Sequence, residues 1–343
     1  MTDRRSALVT GVTGQDGAYL AELLLGKGYA VHGTARDITA FDQSRLGKAQ
    51  CDAGEFRFYS CDITDEAGMR ELVTAIRPDE IYNLAAQSHV PTSLAEPHRT
   101  MEINATAAVS LLRMIVGLGF QGHTRVFQAS SSEVFGEASG AALTESSPMR
   151  PCNPYAESKY RAYVASTGLR AEAGLFVANG FLFNHESPYR SPAFVTRKIS
   201  LAVASRARGG GAPLRLGNLD VRRDWGHARD YVAGMWLSLQ RDEPDDYIFA
   251  TGENHSVREF VEFAFAAAGR RVRWQGEGLH EAGYDADTAE RLVEIDPAFF
   301  RPHEISATLG DASKALRDLK WRPQTAFAEL VREMVVSDLG QTS

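Results

Sequence analysis

Two residues with complementary chemistry stand four positions apart in this sequence, in the run Tyr155-Ala-Glu-Ser-Lys159. Residues at i and i+4 share one face of a helix, so the phenol and the ammonium are predicted to be neighbours. An ammonium beside a phenol favours the phenolate, which can take the proton of a hydroxyl group while a hydride leaves the same carbon. The pair alone is weak evidence, because this spacing also arises by chance in helices.

A second group of reactive side chains ends a predicted strand, in Ala129-Ser-Ser-Ser-Glu133. The hydroxyl of Ser131 is expected to bridge the tyrosine and the substrate. The carboxylate of Glu133 can remove the acidic proton next to a ketone and help a neighbouring hydroxyl group to leave. Plain reduction or epimerisation needs no carboxylate there, so Glu133 favours an elimination. The alternative is that Glu133 only pairs with a surface cation.

A glycine-rich turn separates the first predicted strand from the first predicted helix. The turn reads Gly11-Val-Thr-Gly14-Gln15-Asp16-Gly17 and is followed by Ala18-Tyr-Leu-Ala-Glu-Leu. Glycines let such a turn fold tightly, and they let backbone N–H groups at a helix N-terminus approach a pyrophosphate. The turn therefore predicts a dinucleotide site, although an ordinary tight turn between a strand and a helix would look similar.

The residues after the next strands bear on which dinucleotide is bound. The second strand ends at Thr34 without the acidic residue that holds an NAD ribose, and the guanidinium of Arg36 suits a 2′-phosphate. NADP is therefore predicted over NAD, although Asp37 weakens the signal. Asp62, followed by Ile63, is placed to bond an adenine amino group or, alternatively, to cap the next helix. Small or apolar residues where the cofactor can approach the backbone end the fourth strand: Leu84, Ala85 and Ala86.

Alternation of short apolar runs with helical patterns predicts an α/β fold. We expect a Rossmann-type, doubly wound parallel sheet with a smaller, mostly C-terminal α/β substrate-binding region. Residues 1–183 would bind the cofactor and residues 184–343 mainly the substrate, with some segments returning to the sheet. The polar stretch 276–295 is predicted to be a loop or lid. Strands are predicted at 6–10, 30–34, 56–60, 79–84, 124–129 and 175–182, and helices at 15–27, 65–77, 98–118, 153–172 and 257–268.

Composition narrows the class of partner and the compartment. The formal net charge of −7 argues against nucleic acid or an anionic membrane surface as a partner. The three cysteines form no C-x-x-C pair, which indicates a reducing compartment and neither disulfides nor a thiolate zinc site. No apolar run reaches the length of a membrane span, and no histidine cluster has ligand spacing. A cytoplasmic protein without a metal is expected.

With these residues assigned, the chain closely resembles the GDP-mannose 4,6-dehydratase family of extended short-chain dehydrogenases over nearly its whole length. The glycine turn and the Tyr–Lys pair mark only the superfamily, whereas three of the matching stretches are more specific to the dehydratases. The matching stretches are Val9–Gly17, Asn83–Val90, Gln128–Glu133, Asn179–Pro188 with Asn-His-Glu-Ser-Pro, Phe194–Ile199 with Val-Thr-Arg-Lys-Ile, Leu216–Asp220, Arg223–Ala228 with Arg-Asp-Trp-Gly-His, Ala250–Glu253, His255–Glu259 and Arg301–Glu304.

The resemblance implies an enzyme that oxidises C4 of a GDP-sugar, eliminates water across C5 and C6, and returns the hydride to C6. The implied catalytic residues are Ser131, Glu133 and Tyr155, with Lys159 supporting the tyrosine. Arg190 is implied to contact the cofactor, and His185 to bond the backbone or the cofactor, together with the residues already given. The implied substrate-binding residues are Ser88, Ser131, Asn184, Lys198, Leu216, Arg223, Arg301 and Glu304. Clustered Arg and Lys suit an anionic ligand on an acidic protein; the alternative for Arg223 is an ion pair with Asp220 or Asp224.

The sequence also departs from the family pattern and leaves alternatives open. Ser131 stands where the family usually has threonine, and Arg36-Asp37 where it has two arginines. The run Pro91–Pro97 differs near the sugar, so the substrate is mannose-based or a related GDP-sugar such as a GDP-heptose. Two other hypotheses for the function remain. The protein could be an NADPH-dependent nucleotide-sugar 4-reductase or epimerase, or a cofactor-binding regulator without turnover. A homodimer or homotetramer is expected from the family, with 36–46 as a candidate contact.

Overall fold

The structure is a computed structural model that describes residues 4–37, 55–137, 141–299 and 307–340. Its helices are α1 (Gln15–Gly26), α2 (Glu66–Ile76), α3 (Val90–Ala95), α4 (Pro97–Met101), α5 (Ala108–Gly117), α6 (Pro154–Ala173), α7 (Val195–Ala207), α8 (Ala228–Ser238), α9 (Val257–Ala267), α10 (Ser313–Leu319) and α11 (Phe327–Gly340). Short 3₁₀ turns cover Ser132–Phe135, Gly278–His280 and Pro297–Phe299.

The strands are β1 (Ser6–Thr10), β2 (Ala30–Ala35), β3 (Phe56–Ser60), β4 (Glu80–Asn83), β5 (Arg125–Ser131), β6 (Val177–Leu182), β7 (Asn184–Glu186), β8 (Leu214–Leu216), β9 (Arg222–Arg223), β10 (Trp225–His227), β11 (Asp246–Phe249), β12 (His255–Ser256), β13 (Val272–Gln275), β14 (Ala282–Asp285) and β15 (Arg291–Ile295). Seven of them form one parallel sheet in the order β11-β6-β5-β4-β1-β2-β3. All six strands predicted from the sequence are in it, and β11 joins from the second half of the chain. The predicted Rossmann-type fold is confirmed.

Helices cover both faces of this sheet. Successive strand residues point to opposite faces, so apolar residues at consecutive positions pack against helices on both sides. Ala7 and Val9 of β1 pack in one core cluster with residues of α1 and α8. Leu8, between them, packs in another cluster with residues of α2 and α5. A strand buried on both faces reads as a continuous apolar run, which is why Ala7-Leu-Val9 was recognisable in the sequence.

The predicted helix 98–118 contains a wider turn, because Glu102–Ala107 between α4 and α5 is a π-helix. Wide π turns often mark functional positions. Here the turn holds Asn104, whose amide donates to the carbonyl of Gln87 at 2.8 Å and to Oγ of Ser158 on α6 at 3.1 Å. The Asn104 side chain thereby joins the loop after β4 to the helix of the Tyr–Lys pair.

A second, smaller layer lies in the C-terminal half. Four strands pair in the order β13-β14-β15-β8, and their apolar side chains share a core cluster with α7, α9 and α11. The prediction of a loop at 276–295 is therefore wrong. The two strands in it are short, and among their apolar side chains only Ala282, Leu292 and Val293 are fully buried, so the pattern in the sequence was weak. The capping box of Ser256 and Glu259 is present at the start of α9.

Candidate active site

Tyr155 and Lys159 lie in the first turns of α6, which Pro154 begins and Asn153 caps. Both side chains are buried, and Nζ of Lys159 donates to the carbonyl of Ala129 on β5 at 3.0 Å. Burial lowers the pKa of Lys159 to about 8, against the opposing charge of Asp16. Burial also raises the pKa of Tyr155 to about 12, although a hydrogen bond with Ser131 opposes the rise. In the protein alone the tyrosine is therefore a phenol at neutral pH.

Ser131 and Glu133 stand where β5 passes into the 3₁₀ turn Ser132–Phe135. The hydroxyl oxygen of Ser131 accepts a hydrogen bond from the N–H of Glu133 at 3.2 Å. The carboxylate of Glu133 accepts from the side-chain amide of Asn153 at 3.1 Å, and its charge acts on Tyr155. The structure thus brings the four residues predicted to be catalytic to one place, at the carboxyl end of β5 and the start of α6.

The glycine turn lies directly against the end of β4. Gly11 has φ of 69°, and a Cβ placed on it would lie only 2.9 Å from Cα of Ala85, so this position requires glycine. A Cβ on Gly17 would lie 2.5 Å from the carbonyl oxygen of Gly11. Gly14 precedes α1 and offers no side-chain cap, which leaves the first N–H groups of the helix to a phosphate.

Thr10 ties the ends of neighbouring strands together beside this turn. Its hydroxyl oxygen accepts from the N–H groups of Leu84 and Ala85, both at 3.1 Å, and the hydroxyl donates to Asn83 at 2.9 Å. Leu84, Ala85 and the following residues Ala86 and Ser88 continue from β4 past the glycine turn. The predicted cofactor-contacting backbone of 84–86 is therefore held next to the turn.

Gln15 and Asp16 reach across to the segment after β6. Asp16 forms a largely buried ion pair with His185, with Oδ2 2.9 Å from Nε2, and the other ring nitrogen of His185 lies 2.7 Å from the carbonyl oxygen of Phe183. Gln15 donates to the carbonyl of His185 at 3.0 Å and accepts from Ser187 at 2.7 Å. The backbone contact expected of His185 is present, with Asp16 as a second partner.

Asp62 and Arg36 lie near one another at the ends of β3 and β2. Burial disfavours the charged form of Asp62, but hydrogen bonds from Thr64 and the positive charges of Arg99 and Arg36 outweigh it and lower the pKa of this carboxyl group. Asp62 accepts from the N–H of Thr64 at 2.9 Å and pairs with Arg99 at 3.3 Å. The residue that caps α2 is Asp65, so the alternative role for Asp62 is wrong. Ile63, next to it, is buried.

Arg190 lies between the cofactor end and the substrate end. Its guanidinium pairs with Glu186 at 3.1 Å, lies 3.5 Å from the ring centroid of Phe194, and carries a charge that acts on Tyr155. Asn184 is in β7, which pairs with β10. Of this segment, Arg190 lies close enough to Tyr155 for its charge to act on the phenol.

Two of the predicted substrate-binding residues, Lys198 and Leu216, lie in the second layer. Lys198 donates to the carbonyl of Arg215 at 2.7 Å, and its ammonium lies 3.7 Å from the ring centroid of Phe299. Leu216, at the end of β8, is buried. Arg223 in β9 donates to the carbonyl of Arg222 at 2.9 Å. Arg301 and Glu304 lie outside the described residues.

Asp220 and Asp224, the alternative ion-pair partners of Arg223, form contacts with other residues. Asp224 accepts from the N–H of Thr251 at 2.7 Å and from that of Gly252 at 3.0 Å. Asp220 pairs with Arg258 at 2.9 Å. These contacts fix the loops on both sides of β9 and so the place of Arg223.

Sequence reasoning missed three polar residues that organise the site: Thr10, Asn104 and Asn153. The partners of Thr10 and Asn104 are distant in the sequence, so no local pattern marks these two residues. The one usable signal was at Asn153, since an Asn-Pro pair before a helix is typical of an N-cap followed by proline in the first turn.

The residues present fit a dinucleotide cofactor. The uncapped start of α1 faces the end of β4, and the buried Oγ of Ser130, beside Ser131, has no hydrogen-bond partner within the described ranges. Across the same ranges, no group of His, Cys, Asp and Glu side chains is arranged to hold a metal ion. No helix in the described part of the chain has both the length and the apolar character needed to span a bilayer.

A Rossmann-type sheet with a glycine turn at β1 and a Ser–Tyr–Lys set at β5 and α6 defines an enzyme of the short-chain dehydrogenase class. Solved structures agree: the chain matches UDP-glucose 4-epimerase of Thermus thermophilus with a TM-score of 0.81, 25% identity and coverage of 98% and 100% of the two chains. It matches dTDP-glucose 4,6-dehydratase of Streptomyces venezuelae with a TM-score of 0.80, 27% identity and coverage of 97% and 96%.

Within this class, the chain belongs to the GDP-mannose 4,6 dehydratase family, whose model matches residues 8–334. A GDP-mannose 4,6-dehydratase of Sinorhizobium fredii is 47% identical over an alignment of 344 positions, which covers 99% of this chain and 98% of that protein. The family resemblance found in the motifs is thereby confirmed over nearly the full length.

Proposed function

We propose that the protein is a GDP-mannose 4,6-dehydratase, which converts GDP-mannose to GDP-4-keto-6-deoxymannose and water. The observation that carries this assignment is the place of Glu133. Its carboxylate lies beside the Ser131–Tyr155–Lys159 set, in a chain whose match to the dehydratase family spans residues 8–334. A carboxylate there serves elimination, and a 4-epimerase or 4-reductase has no step that requires it.

The first step is oxidation at C4 of the hexose. Tyr155 takes the proton of the C4 hydroxyl group, while Ser131 bonds the tyrosine and the substrate oxygen. A bound nicotinamide, held at its reactive end by Tyr155 and Lys159, would supply the hydride acceptor for C4 and the hydride donor for C6. Burial raises the pKa of Tyr155 to about 12 in the protein alone. The phenolate therefore forms only with added positive charge nearby, for which Lys159 and an oxidised nicotinamide are suited.

The second step is loss of water across C5 and C6. Once C4 is a ketone, the C5 proton is acidic, and Glu133 removes it and passes a proton to the departing C6 hydroxyl group. The hydride removed from C4 would then return to C6, and C5 regains a proton. The proton added at C5 matches in number the one that Tyr155 took from the C4 hydroxyl group. The cofactor ends each turnover in its starting state, so the reaction is a net elimination.

The cofactor is a nicotinamide dinucleotide, and we propose that it is NADP. Arg36 follows β2, and that strand ends at Ala35 without an acidic residue to hold a free ribose hydroxyl group. The proposed contacts also include Asp62 and Ile63 for the adenine and Tyr155 and Lys159 at the nicotinamide end. The remaining proposed contacts are Gly11, Gly14, Gln15, Asp16, Gly17, Leu84, Ala85, Ala86, His185 and Arg190.

The nucleotide-sugar is assigned to the boundary between residues 1–183 and the mainly substrate-binding region 184–343. Ser131 and Ser88 would contact the hexose, and the GDP would be held from the second layer. The residues proposed for the GDP are Asn184, Lys198, Leu216, Arg223, Arg301 and Glu304. A cytoplasmic homodimer or homotetramer remains our prediction for the assembly.

Product analysis tests the assignment against the other activities of the class. Incubation with GDP-mannose should give a product lighter by the mass of one water, with no stoichiometric consumption of NADPH. Consumption of NADPH with a 4-keto nucleotide-sugar would instead indicate a 4-reductase, and a product of unchanged mass from GDP-mannose would indicate an epimerase. A GDP-heptose should be included in the panel, because the run Pro91–Pro97 departs from the family pattern near the sugar.

A further inference from the structure

One side chain links the proposed elimination base to the helix of the oxidation base. Asn153 caps α6: its carbonyl oxygen Oδ1 accepts from the N–H of Ala156 at 2.8 Å. Its amide nitrogen Nδ2 donates to Oε2 of Glu133 at 3.1 Å. The two contacts require opposite ends of the amide, so each one fixes its orientation for the other.

This double contact explains the residue type at the cap. Serine, threonine and aspartate accept a helix N–H as well as asparagine does. At neutral pH, aspartate has no hydrogen to donate to a neighbouring carboxylate. Serine and threonine have shorter side chains, and the oxygen that accepts from the helix also carries their single donor hydrogen. Asparagine supplies the acceptor and a separate NH₂ donor.

Glu133 depends on this donor. Within the described ranges, Asn153 is the one hydrogen-bond partner of its carboxylate, because Ser131 contacts the backbone N–H of Glu133 instead. Two titratable groups, the phenol of Tyr155 and the thiol of Cys152, lie near this carboxylate, and neither is a cation. The amide of Asn153 donates the hydrogen bond to the negative charge.

We propose that Asn153 is a positioning residue for Glu133: its amide holds the carboxylate turned toward C5 of the sugar, while its carbonyl oxygen anchors the start of α6. The inference rests on the proposed dehydratase function. It makes the elimination step, and not the oxidation step, dependent on Asn153. Because Tyr155 lies two residues further along the same helix, one side chain sets the distance between the two bases.

The test compares Asn153→Ser, which keeps a cap, with Asn153→Ala, which removes both contacts. In Asn153→Ser, exchange of the C5 proton with deuterated solvent should slow by roughly 10- to 100-fold, the range for losing a hydrogen bond to a charged group. Reduction of the nicotinamide by GDP-mannose and the KM should stay near the parental values.

A second variant tests the need for a hydrogen-bond donor. Asn153→Asp keeps the cap but offers Glu133 no hydrogen and places a negative charge beside it, so C5 exchange should slow as it does in Asn153→Ser. Ser256→Ala, which removes a comparable cap from α9, calibrates the loss of thermal stability that a missing cap causes.

Two outcomes overturn the inference. If Asn153→Ser and Asn153→Asp keep the parental C5 exchange rate, Asn153 is only a helix cap. If both variants slow nicotinamide reduction and C5 exchange equally, Asn153 supports the whole site and not Glu133. Failure of the dehydratase assignment is distinguishable, because Glu133→Gln would then also turn over GDP-mannose at the parental rate.

Discussion

The carboxylate of Asp16, at the start of α1, lies 2.9 Å from Nε2 of His185 in β7, although 169 positions separate the two residues in the chain. This ion pair joins the glycine turn to the segment that follows β6. Burial is the largest single influence and opposes both charges, but the partner's charge and the hydrogen bonds together outweigh it on each side. The pKa of His185 is raised and that of Asp16 is lowered.

Asp16→Asn should therefore destabilise the fold most near neutral pH, by about 3 kcal/mol, as expected for breaking a buried pair. Asp16 contributes stability above its unfolded-state pKa and loses it as pH falls through its lowered folded pKa. His185 contributes stability below its unfolded-state pKa and loses it as pH rises through its raised folded pKa. The difference between parent and variant in urea unfolding should shrink at both pH extremes. An equal difference at every pH would contradict this account of the pair.

Local spacing explains how much of the site was predictable. Tyr155 and Lys159 share one helix face, and Ser131 and Glu133 end one strand, so the sequence predicts both pairs. Long-range contacts are different: the bond of Asn153 to Glu133 and that of Asp16 to His185 depend on packing between elements.

The fold was predictable to a similar degree. The central strands are buried on both faces, and their sequences are continuous apolar runs. By contrast, β14 and β15 bury few apolar side chains, so their sequence predicts a loop. The π turn around Asn104 was also hidden, because it keeps the general periodicity of the helix that contains it.

Arg36→Ala should weaken binding of NADP by roughly 10- to 100-fold, the range for losing a hydrogen bond to a charged group, and leave NAD binding nearly unchanged. The guanidinium is expected to meet the 2′-phosphate that only NADP carries. Titration of each dinucleotide, followed by fluorescence or calorimetry, measures the preference. Arg57→Ala, in the neighbouring strand β3, controls for a general loss of positive charge. A parent protein that prefers NAD would overturn the cofactor assignment.

Arg223→Ala and Arg301→Ala should mainly raise the KM for GDP-mannose, since the diphosphate and the base change little during the reaction. The expected loss is about 1.5–3 kcal/mol for each arginine. Steady-state kinetics and binding of GDP alone provide the measurement, and Arg273→Ala on the exposed side of β13 is the matched control. If neither variant binds GDP more weakly than the parent does, the substrate end has been assigned to the wrong residues.

Glu133→Gln tests the central claim most directly, because glutamine nearly preserves the size of the side chain but cannot take a proton from C5. The measurement follows nicotinamide absorbance and product formation together after GDP-mannose is mixed with the NADP⁺-loaded protein. We predict transient reduction of the nicotinamide in Glu133→Gln, while formation of the 4-keto-6-deoxy product falls by roughly 100-fold or more, as for loss of a general acid–base. Tyr155→Phe should suppress both signals. Product formation by Glu133→Gln at close to the parental rate would contradict the assignment of this protein as a dehydratase.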